Sequence, residues 1–351
     1  MDRNLHQAEK RKRVTIKDVA KAAGVSTQTV SRVVNHVSNV SEKTRQSVEM
    51  TIQKMGYRPS RLARSLSQQR SYTLGIAVYD LTYIGASRIL NGMSEWADVL
   101  GYMLLLKEID DFKTGDVDGV VEALLAYQVD GIVWAIPEIG GNHAWIQDHL
   151  KNIPVPVLFI TIPPHEGIPC FATDNFRGAV AAMQHLLNSG RTKIGHISGP
   201  NEWWEAEERK RGWRESLQAI GFEPLDQHCV EGDWSPVSGR DAFCQLIKNF
   251  PDMDAVFVAN DQMALGVLSE ASHLAIHVPE QLAVIGFDGI PESAYFYPAL
   301  TTVHQDFHTL GRRAVQCIVE MIQARQENRP VIPQSELIQP TLVVRKSSAL
   351  V

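Results

Sequence analysis

Gln28 and Arg32 carry paired hydrogen-bonding groups within the run Val25-Ser26-Thr27-Gln28-Thr29-Val30-Ser31-Arg32. A glutamine amide bonds adenine N6 and N7 together, and a guanidinium bonds guanine O6 and N7 in the same bidentate way. With Thr27, they suit the N-terminal end of a helix that reads base edges in a major groove. Ser26, Thr29, Ser31, Asn35 and Asn39 suit phosphate oxygens instead, which set register without reading sequence, and Thr15 joins them. A second group lies far downstream. Arg209, Asn260 and Asp288 supply polar groups of the kind that converge on hydroxyls, while Trp234 and Phe307 supply flat faces for the C–H surface of a sugar ring.

Three short helices must position the first group. Thr15-Ile16-Lys17-Asp18 has the Thr-x-x-acid form of a capping box, and Ile16, Val19, Ala20 and Ala23 recur at helical spacing. Gly24 predicts a stop, and Ser26 predicts the cap of a second helix over 27–35 that buries Val30, Val33 and Val34. Ser41-Glu42-Lys43-Thr44 starts a third, followed by Val48, Ile52 and Met55. Two helices joined by a tight glycine-containing turn and braced by a third make a helix-turn-helix. Charge agrees with that reading. Residues 1–70 hold 15 Lys and Arg against 5 Asp and Glu, net +10, while the other 281 residues hold 19 against 35, net −16. A cationic head on an anionic body points to duplex DNA as the partner of the head.

From Tyr72 onward, short apolar runs alternate with helical patterns. Predicted strands cover 74–78, 103–107, 131–136, 157–161, 194–198, 255–258 and 282–287. Predicted helices cover 84–100, 117–128, 176–189, 205–220 and 262–274. Such alternation builds parallel sheets covered on both faces, and the strands are too many for one small sheet. Thr173–Asn175 is expected to cross between two lobes, with later crossings near 303–307 and 330–335. Ligands bind at strand C-termini in such folds. The stretches 231–235, 258–266, 285–288 and 300–307 fall where strands end and helices begin, which brings Trp234, Asn260, Asp288 and Phe307 to the cleft. Asp261 reads as the cap of the helix at Gln262, and Trp213 as helix-face core. Trp203 and Trp204 fit a pocket rim or loop packing equally, and Arg209, among Glu207, Glu208, Lys210 and Arg211, has a solvated helix face as its rival placement.

The run 25–35, followed by Val40-Ser41-Glu42-Lys43-Thr44-Arg45, resembles the DNA-binding head of the lactose-repressor/galactose-repressor family, and the likeness extends along almost the whole chain. Tyr57-Arg58-Pro59-Ser60-Arg61-Leu62-Ala63-Arg64-Ser65-Leu66 is similar to the hinge of that family, with Ser60 where an Asn is expected. The resemblance implies a hinge helix folded on cognate DNA, with Arg61 and Ala63 among its contacts and Leu66 wedged into the minor groove. It implies a small all-α head over 1–58, a hinge over 59–71, and a two-lobed α/β core with parallel sheets, like a periplasmic binding protein, over 72–346. The N-lobe would take 72–172 and 304–333, and the C-lobe 173–303 and 334–346. Matching positions place Arg209, Asn260 and Asp288 against sugar hydroxyls. Tyr79, and Thr161 where an acidic residue is expected, lie near the same cleft. The stretch 231–235 resembles lactose-type repressors, which makes a galactoside such as lactose or allolactose the implied inducer. The implied protein is a transcriptional repressor of a sugar-utilisation operon, a homodimer paired through its N-lobes on a pseudo-palindromic operator.

Other classes find little support. The chain is 44% hydrophobic and 21% charged, ordinary values for a globular protein, and no apolar run approaches the roughly 18 residues of a membrane span. The first residues lack the apolar stretch of a secretory signal, so a cytoplasmic, nucleoid-associated protein is expected. Cys170, Cys229, Cys244 and Cys317 are far apart, which suggests neither a zinc clip nor a disulfide framework. There is no G-x-x-x-x-G-K-[ST], G-x-G-x-x-G or H-E-x-x-H, and Gly195-His196-Ile197-Ser198-Gly199 has the wrong spacing for a nucleophile elbow. No catalysis, metal or cofactor is expected beyond a sugar effector. No heptad repeat follows Thr341-Leu342-Val343-Val344-Arg345, so a dimer is expected over a coiled-coil tetramer. The rival readings are a corepressor-dependent, purine-type regulator of the same family and a sugar-binding transport receptor; the basic head argues against the second.

Overall fold

The computed structural model describes residues 14–34, 39–57, 70–109, 117–139 and 150–349. Asn35, Arg61, Ala63 and Leu66, with most of the expected hinge, lie outside the described residues. The chain divides into two compact units, Met1–Ser71 and Tyr72–Val351.

In the first unit, α1 (Ile16–Ala23), α2 (Thr27–Val34) and α3 (Glu42–Met55) close around Val19, Ala20, Val30, Val33 and Val48. Each boundary has a local cause. The Asp18 N–H donates to Thr15 Oγ1 (3.4 Å) while the Thr15 N–H donates to the Asp18 carboxylate (2.9 Å), a complete capping box. Gly24 ends α1 at φ 66°, a left-handed conformation that a Cβ would disfavour. Ser26 and Ser41 accept the N–H groups of Thr29 (3.1 Å) and Thr44 (3.3 Å), which satisfies otherwise orphaned donors in the first turns of α2 and α3.

The second unit is built of two lobes. The N-lobe begins with β1 (Thr73–Tyr79), α4 (Ile84–Val99), β2 (Met103–Ile109), α5 (Val117–Ala126), β3 (Gly131–Ala135), β4 (Val157–Ile160) and β5 (Cys170–Thr173). The C-lobe follows as α6 (Asn175–Asn188), β6 (Ile194–Ser198), α7 (Trp204–Gln218), β7 (Cys229–Glu231), α8 (Pro236–Asn249), β8 (Ala255–Val258), α9 (Asp261–His273), β9 (Ala283–Asp288) and β10 (Thr301–His304). The chain returns to the N-lobe as α10 (Phe307–Gln326) and β11 (Ser335–Ile338), then ends in the C-lobe with β12 (Thr341–Val343). The strand orders are β11-β5-β4-β3-β1-β2 and β12-β10-β9-β8-β6-β7. The ladders are parallel except where β12 runs antiparallel to β10.

One expected boundary is corrected. The third crossing lies between Ile338 and Thr341 rather than at 330–335, because β11 pairs in parallel with β5, from Ser335 opposite Cys170 to Ile338 opposite Thr173. Residues 335–338 therefore belong to the N-lobe. As an edge strand, β11 leaves Ser335 and Glu336 exposed and only half buries Leu337 and Ile338, so it carries no apolar run to mark it in the sequence. The first and third crossings are tied together: the Asp174 N–H donates to Ile338 O (2.9 Å), and Gln339 Nε2 donates to Asp174 Oδ2 (3.0 Å).

Inside the core, Trp213 is fully buried as expected, with its Nε1 donating to Ile194 O (3.0 Å). His196 stacks on Trp213 and Phe257 (5.5 and 5.0 Å between centroids), and burial pushes its pKa down to about 3, so the imidazole is neutral. All four cysteines are free thiols. No helix among the described residues is long and apolar enough to cross a membrane.

Helices α4 and α10 share the N-lobe core through Ile89, Met93, Leu310, Ala314 and Ile318. They approach so closely that a Cβ at Gly311 would lie 2.1 Å from the Ile89 carbonyl oxygen, where only backbone movement could relieve it. Gly311→Ala should therefore destabilise the protein by about 1–3 kcal/mol, read as a lower midpoint in urea denaturation.

Candidate functional site

A cleft with about 1010 Å³ of empty space, partly open to solvent, is lined by the C-terminal ends of strands in both lobes and the starts of the helices that follow. Tyr79, Thr161, Arg209, Trp234, Asn260, Asp288 and Phe307, the seven residues singled out in the sequence for ligand contact, all line it.

Arg209 lies at the centre of this site. Its neighbours on α7 pair outside, Lys210 with Glu207 (3.5 Å) and Arg211 with Glu208 (2.7 Å) and Glu215 (3.2 Å), whereas Arg209 is only 5% exposed. The solvated-face placement does not hold. Arg209 Nε donates to Asn175 Oδ1 (2.9 Å), Nη1 donates to the Ala259 carbonyl, and Nη1 stands 3.7 Å from Asp288 Oδ1. The guanidinium also sits over the Phe287 ring, 3.9 Å from its centroid. Burial lowers the pKa of Arg209 while Asp288 and Glu205 oppose that shift. Asp288 accepts from Gln305 Nε2 (2.7 Å), and burial pushes its carboxyl up to about 6 against the pull of Arg209.

Three of the seven residues have left-handed backbones at the cleft: Thr161 (φ 60°), Trp234 (φ 73°) and Asp288 (φ 105°). Such strain persists only where surrounding structure holds it. The Thr161 hydroxyl is turned back onto Ile160 O (2.6 Å). Asn260 is the N-cap of α9, with Oδ1 accepting the Met263 N–H (2.8 Å) and Nδ2 donating to Trp234 O (3.0 Å), so much of its amide serves to hold the loop that carries Trp234. This corrects the reading of Asp261 as the cap. Asp261 is instead the first helical residue, fully buried, and accepts from the Thr302 hydroxyl (2.6 Å) and the Ile290 N–H (2.8 Å).

Aromatic rings form one wall. Tyr79 stacks with Tyr83 (6.1 Å), Tyr83 meets Trp203 edge-on (5.5 Å), and Trp203 meets Trp234 edge-on (5.9 Å). Trp203 is thus on the pocket rim, whereas Trp204 opens α7 and is not among the lining residues. Phe307, the first residue of α10, faces the cavity beside Gly85. Tyr83, Asn175, Glu205, Gln262 and Gln305 also line the cleft and were not identified from the sequence. Asn175 and Gln305 flank lobe crossings that the pattern did locate. Nothing in the sequence separates Glu205 from the other acids of α7.

In the head, Thr27, Gln28, Arg32 and Asn39 are exposed, and Thr29 and Ser31 are half-buried. Thr15 and Ser26 are exposed too, but their hydroxyls cap α1 and α2.

Residues 15–60 match the family of bacterial regulatory proteins called the lacI family, and residues 183–348 match the periplasmic binding protein-like domain. The lactose operon repressor of Escherichia coli K12 is 32% identical over 337 residues, which span 96% of this chain and 91% of that repressor. The chain belongs to the LacI family. It is a DNA-binding transcriptional repressor, not an enzyme. The ribose operon repressor of E. coli K12 is 32% identical across 95% of this chain and 99% of its own length. Catabolite control protein A of Priestia megaterium is 34% identical across 88% and 92%. Among solved structures, the Lac repressor dimer bound to operator and the anti-inducer ONPF matches with a TM-score of 0.86 at 31% identity, covering 97% of this chain and all of that one. The regulator CelR in complex with cellobiose matches at 0.71 and 28%, over 95% of this chain and all of its own.

Burial pushes Asp261 up to about 8, with Asp288 adding to the shift, so the folded core binds this proton more tightly than the unfolded chain. That contribution to stability is fully present below about pH 4 and is lost as pH rises through about 8. Asp261→Asn keeps an acceptor for Ile290 N–H and offers a donor to Thr302. Denaturant unfolding at about pH 5 and about pH 8 should show wild type losing stability across the interval and the variant losing less.

Proposed function

We propose that this LacI-family repressor controls a sugar-utilisation operon and that a galactoside in the cleft releases it from its operator. The observation that carries the reading is the convergence of Arg209, Asp288 and Gln305 with the ring faces of Trp234 and Phe307 in one cavity. Sugar recognition needs that combination of fixed polar groups and aromatic faces. The Lac repressor bound to ONPG, which matches with a TM-score of 0.85 at 31% identity, supports a galactoside as the first ligand to try. No cofactor or metal is required by this reading; the sugar is the sole small molecule. Gln28 and Arg32 would read bases, and the hinge residues Arg61, Ala63 and Leu66 would complete the DNA contact. The proposed location is the cytoplasm, at the nucleoid.

The proposed coupling is mechanical. A sugar touching both walls favours closed lobes, and β1 is continuous with the segment that leads from the head, so an N-lobe displacement raises the cost of ordering the hinges on DNA. Linkage then requires operator to weaken sugar binding by the same factor. The pairing of two chains is proposed to use the N-lobe. Its edge strand β2 exposes Met103 (50%) and Leu106 (38%), and Val99 at the end of α4 is 68% exposed. An unpaired strand edge with apolar side chains seeks a partner. A corepressor logic is the second reading, favoured by PurR relatives at 32% identity.

Titration of an operator complex with lactose, allolactose, cellobiose, ribose and purines tests both. A galactoside should release the operator; tighter operator binding with a purine would establish the second reading, and indifference to all five would overturn both. Asp288→Ala should weaken sugar binding by about 10–100-fold while the head still binds operator. Replacing Met103 and Leu106 together with Glu should shift the sedimenting species toward monomer and weaken operator binding by about tenfold or more, since each half-site alone is a poor ligand.

A further inference from the structure

The first residue of the core is held more firmly than the end of a domain requires. The chain divides between Ser71 and Tyr72, and β1 starts one residue later, at Thr73. Domain ends usually fray. Tyr72 is instead gripped at three points. Its N–H donates to Asp130 Oδ2 (2.8 Å), and its carbonyl accepts the Met103 N–H (2.8 Å). Its ring packs against the N-lobe core, 5.7 Å from the ring centroid of the buried Tyr102.

The backbone there is strained. Tyr72 has φ 52°, in the left-handed region, where a bulky side chain is an outlier. Such a conformation persists only where the surroundings over-determine it. Asp130, the residue before β3, supplies much of that constraint. Its side chain takes the Tyr72 N–H while its own N–H donates to Thr73 O (2.8 Å), so it grips two successive residues. A bond to a carboxylate is also roughly twice as strong as one between neutral groups. Ending a strand needs neither the bend nor the charge, since water can take an N–H at a sheet end.

The position of this joint gives it a use. Tyr72 follows the expected hinge over 59–71, and the far end of β1, at Val78 and Tyr79, lines the cleft. At about 3.3 Å per residue, β1 spans roughly 20 Å between the two. It lies between β2 and β3 and is paired in parallel with both, so the strand moves as one piece. A slack residue at its start would absorb a displacement. A pinned one passes it to the hinge.

We propose that Asp130 is a positioning residue for DNA recognition: by pinning Tyr72 in its left-handed conformation, it fixes the direction in which the hinge leaves the core. The transmission of a ligand signal through this joint rests on the lobe coupling proposed above. Its effect on operator affinity does not, and is read with no sugar present, so failure of the galactoside reading leaves it standing.

The test uses full-length wild type, Asp130→Ala, Asp130→Asn and Tyr72→Gly with two probes. One is the duplex that wild type selects from a random library, and the other is an unrelated duplex of equal length. Asp130→Ala should weaken binding of the selected duplex by about tenfold, because each chain must then order a freed backbone residue on binding. Binding of the unrelated duplex depends on the charge of the head and should stay within about twofold of wild type. Asp130→Asn keeps an acceptor for the Tyr72 N–H and should recover most of the loss. Tyr72→Gly relieves the strain and removes the ring, which loosens the joint from its other side, and should act like Asp130→Ala. A residue that serves stability alone would lower the urea midpoint and leave the ratio between the two duplexes unchanged. A ratio within about twofold of wild type in Asp130→Ala overturns the proposal, as does the same result in Tyr72→Gly should the first variant not fold. A loss in Asp130→Asn as large as in Asp130→Ala would also overturn it, and so would a shift of the variants to a smaller sedimenting species, which would assign the joint to chain pairing.

Discussion

The buried guanidinium of Arg209 is the constraint around which the core is arranged. A cation removed from water is tolerated only when its donors and its charge are compensated. Here the partners come from three separate stretches: Asn175 just after the first lobe crossing, Ala259 just after β8, and Asp288 at the end of β9. Phe287 supplies the ring beneath it. Displacing any one of these segments would leave a charge or a carbonyl unmet. The floor of the cleft is thereby held rigid, and the strained backbone of Asp288 is held with it.

Around that cation the site is richer in acids than in bases. Glu205 and Asp288 line the cleft, and Asp261 lies behind it, each with its carboxyl pushed upward by burial. The three are not equivalent. Asp261 is satisfied by Thr302 and Ile290 and braces the loop after β9, Asp288 is shared between Arg209 and Gln305, and Glu205 keeps an unmet oxygen. One carboxyl is therefore structural and one orients the cation. The same division applies to the amides: Asn260 is used in capping α9 and holding Trp234, whereas Gln305 joins a lobe crossing to Asp288.

Much of the head was legible because its determinants are local. Thr15 with Asp18, Gly24, Ser26 and Ser41 act within a few residues of their own positions, so their types and spacing suffice. Among the strands with both faces buried, β1, β3 and β8 were legible, whereas the equally buried but short β5 was not. The final crossing was misplaced because β11 is an edge strand held by its ladder to β5 rather than by apolar side chains. Asp261 and Asn260 were confused because either residue type can cap a helix, and only the backbone shows that Asn260 has the extended conformation of the cap.

The sequence by itself determined the helical head, its cationic charge, the alternation that builds two parallel sheets, and the residue types brought to the cleft. These follow from short-range capping, from periodicity and from counting charges, none of which requires knowing where distant segments lie. Only the tertiary structure decided which polar groups are spent and which are left open. Asn260 is largely spent on the protein, Arg209 faces inward, and Glu205 and the Trp234 indole remain unmet. The physical reason is that hydrogen-bond satisfaction depends on partners brought together across the fold, and that accounting does not exist until the chain has closed upon itself.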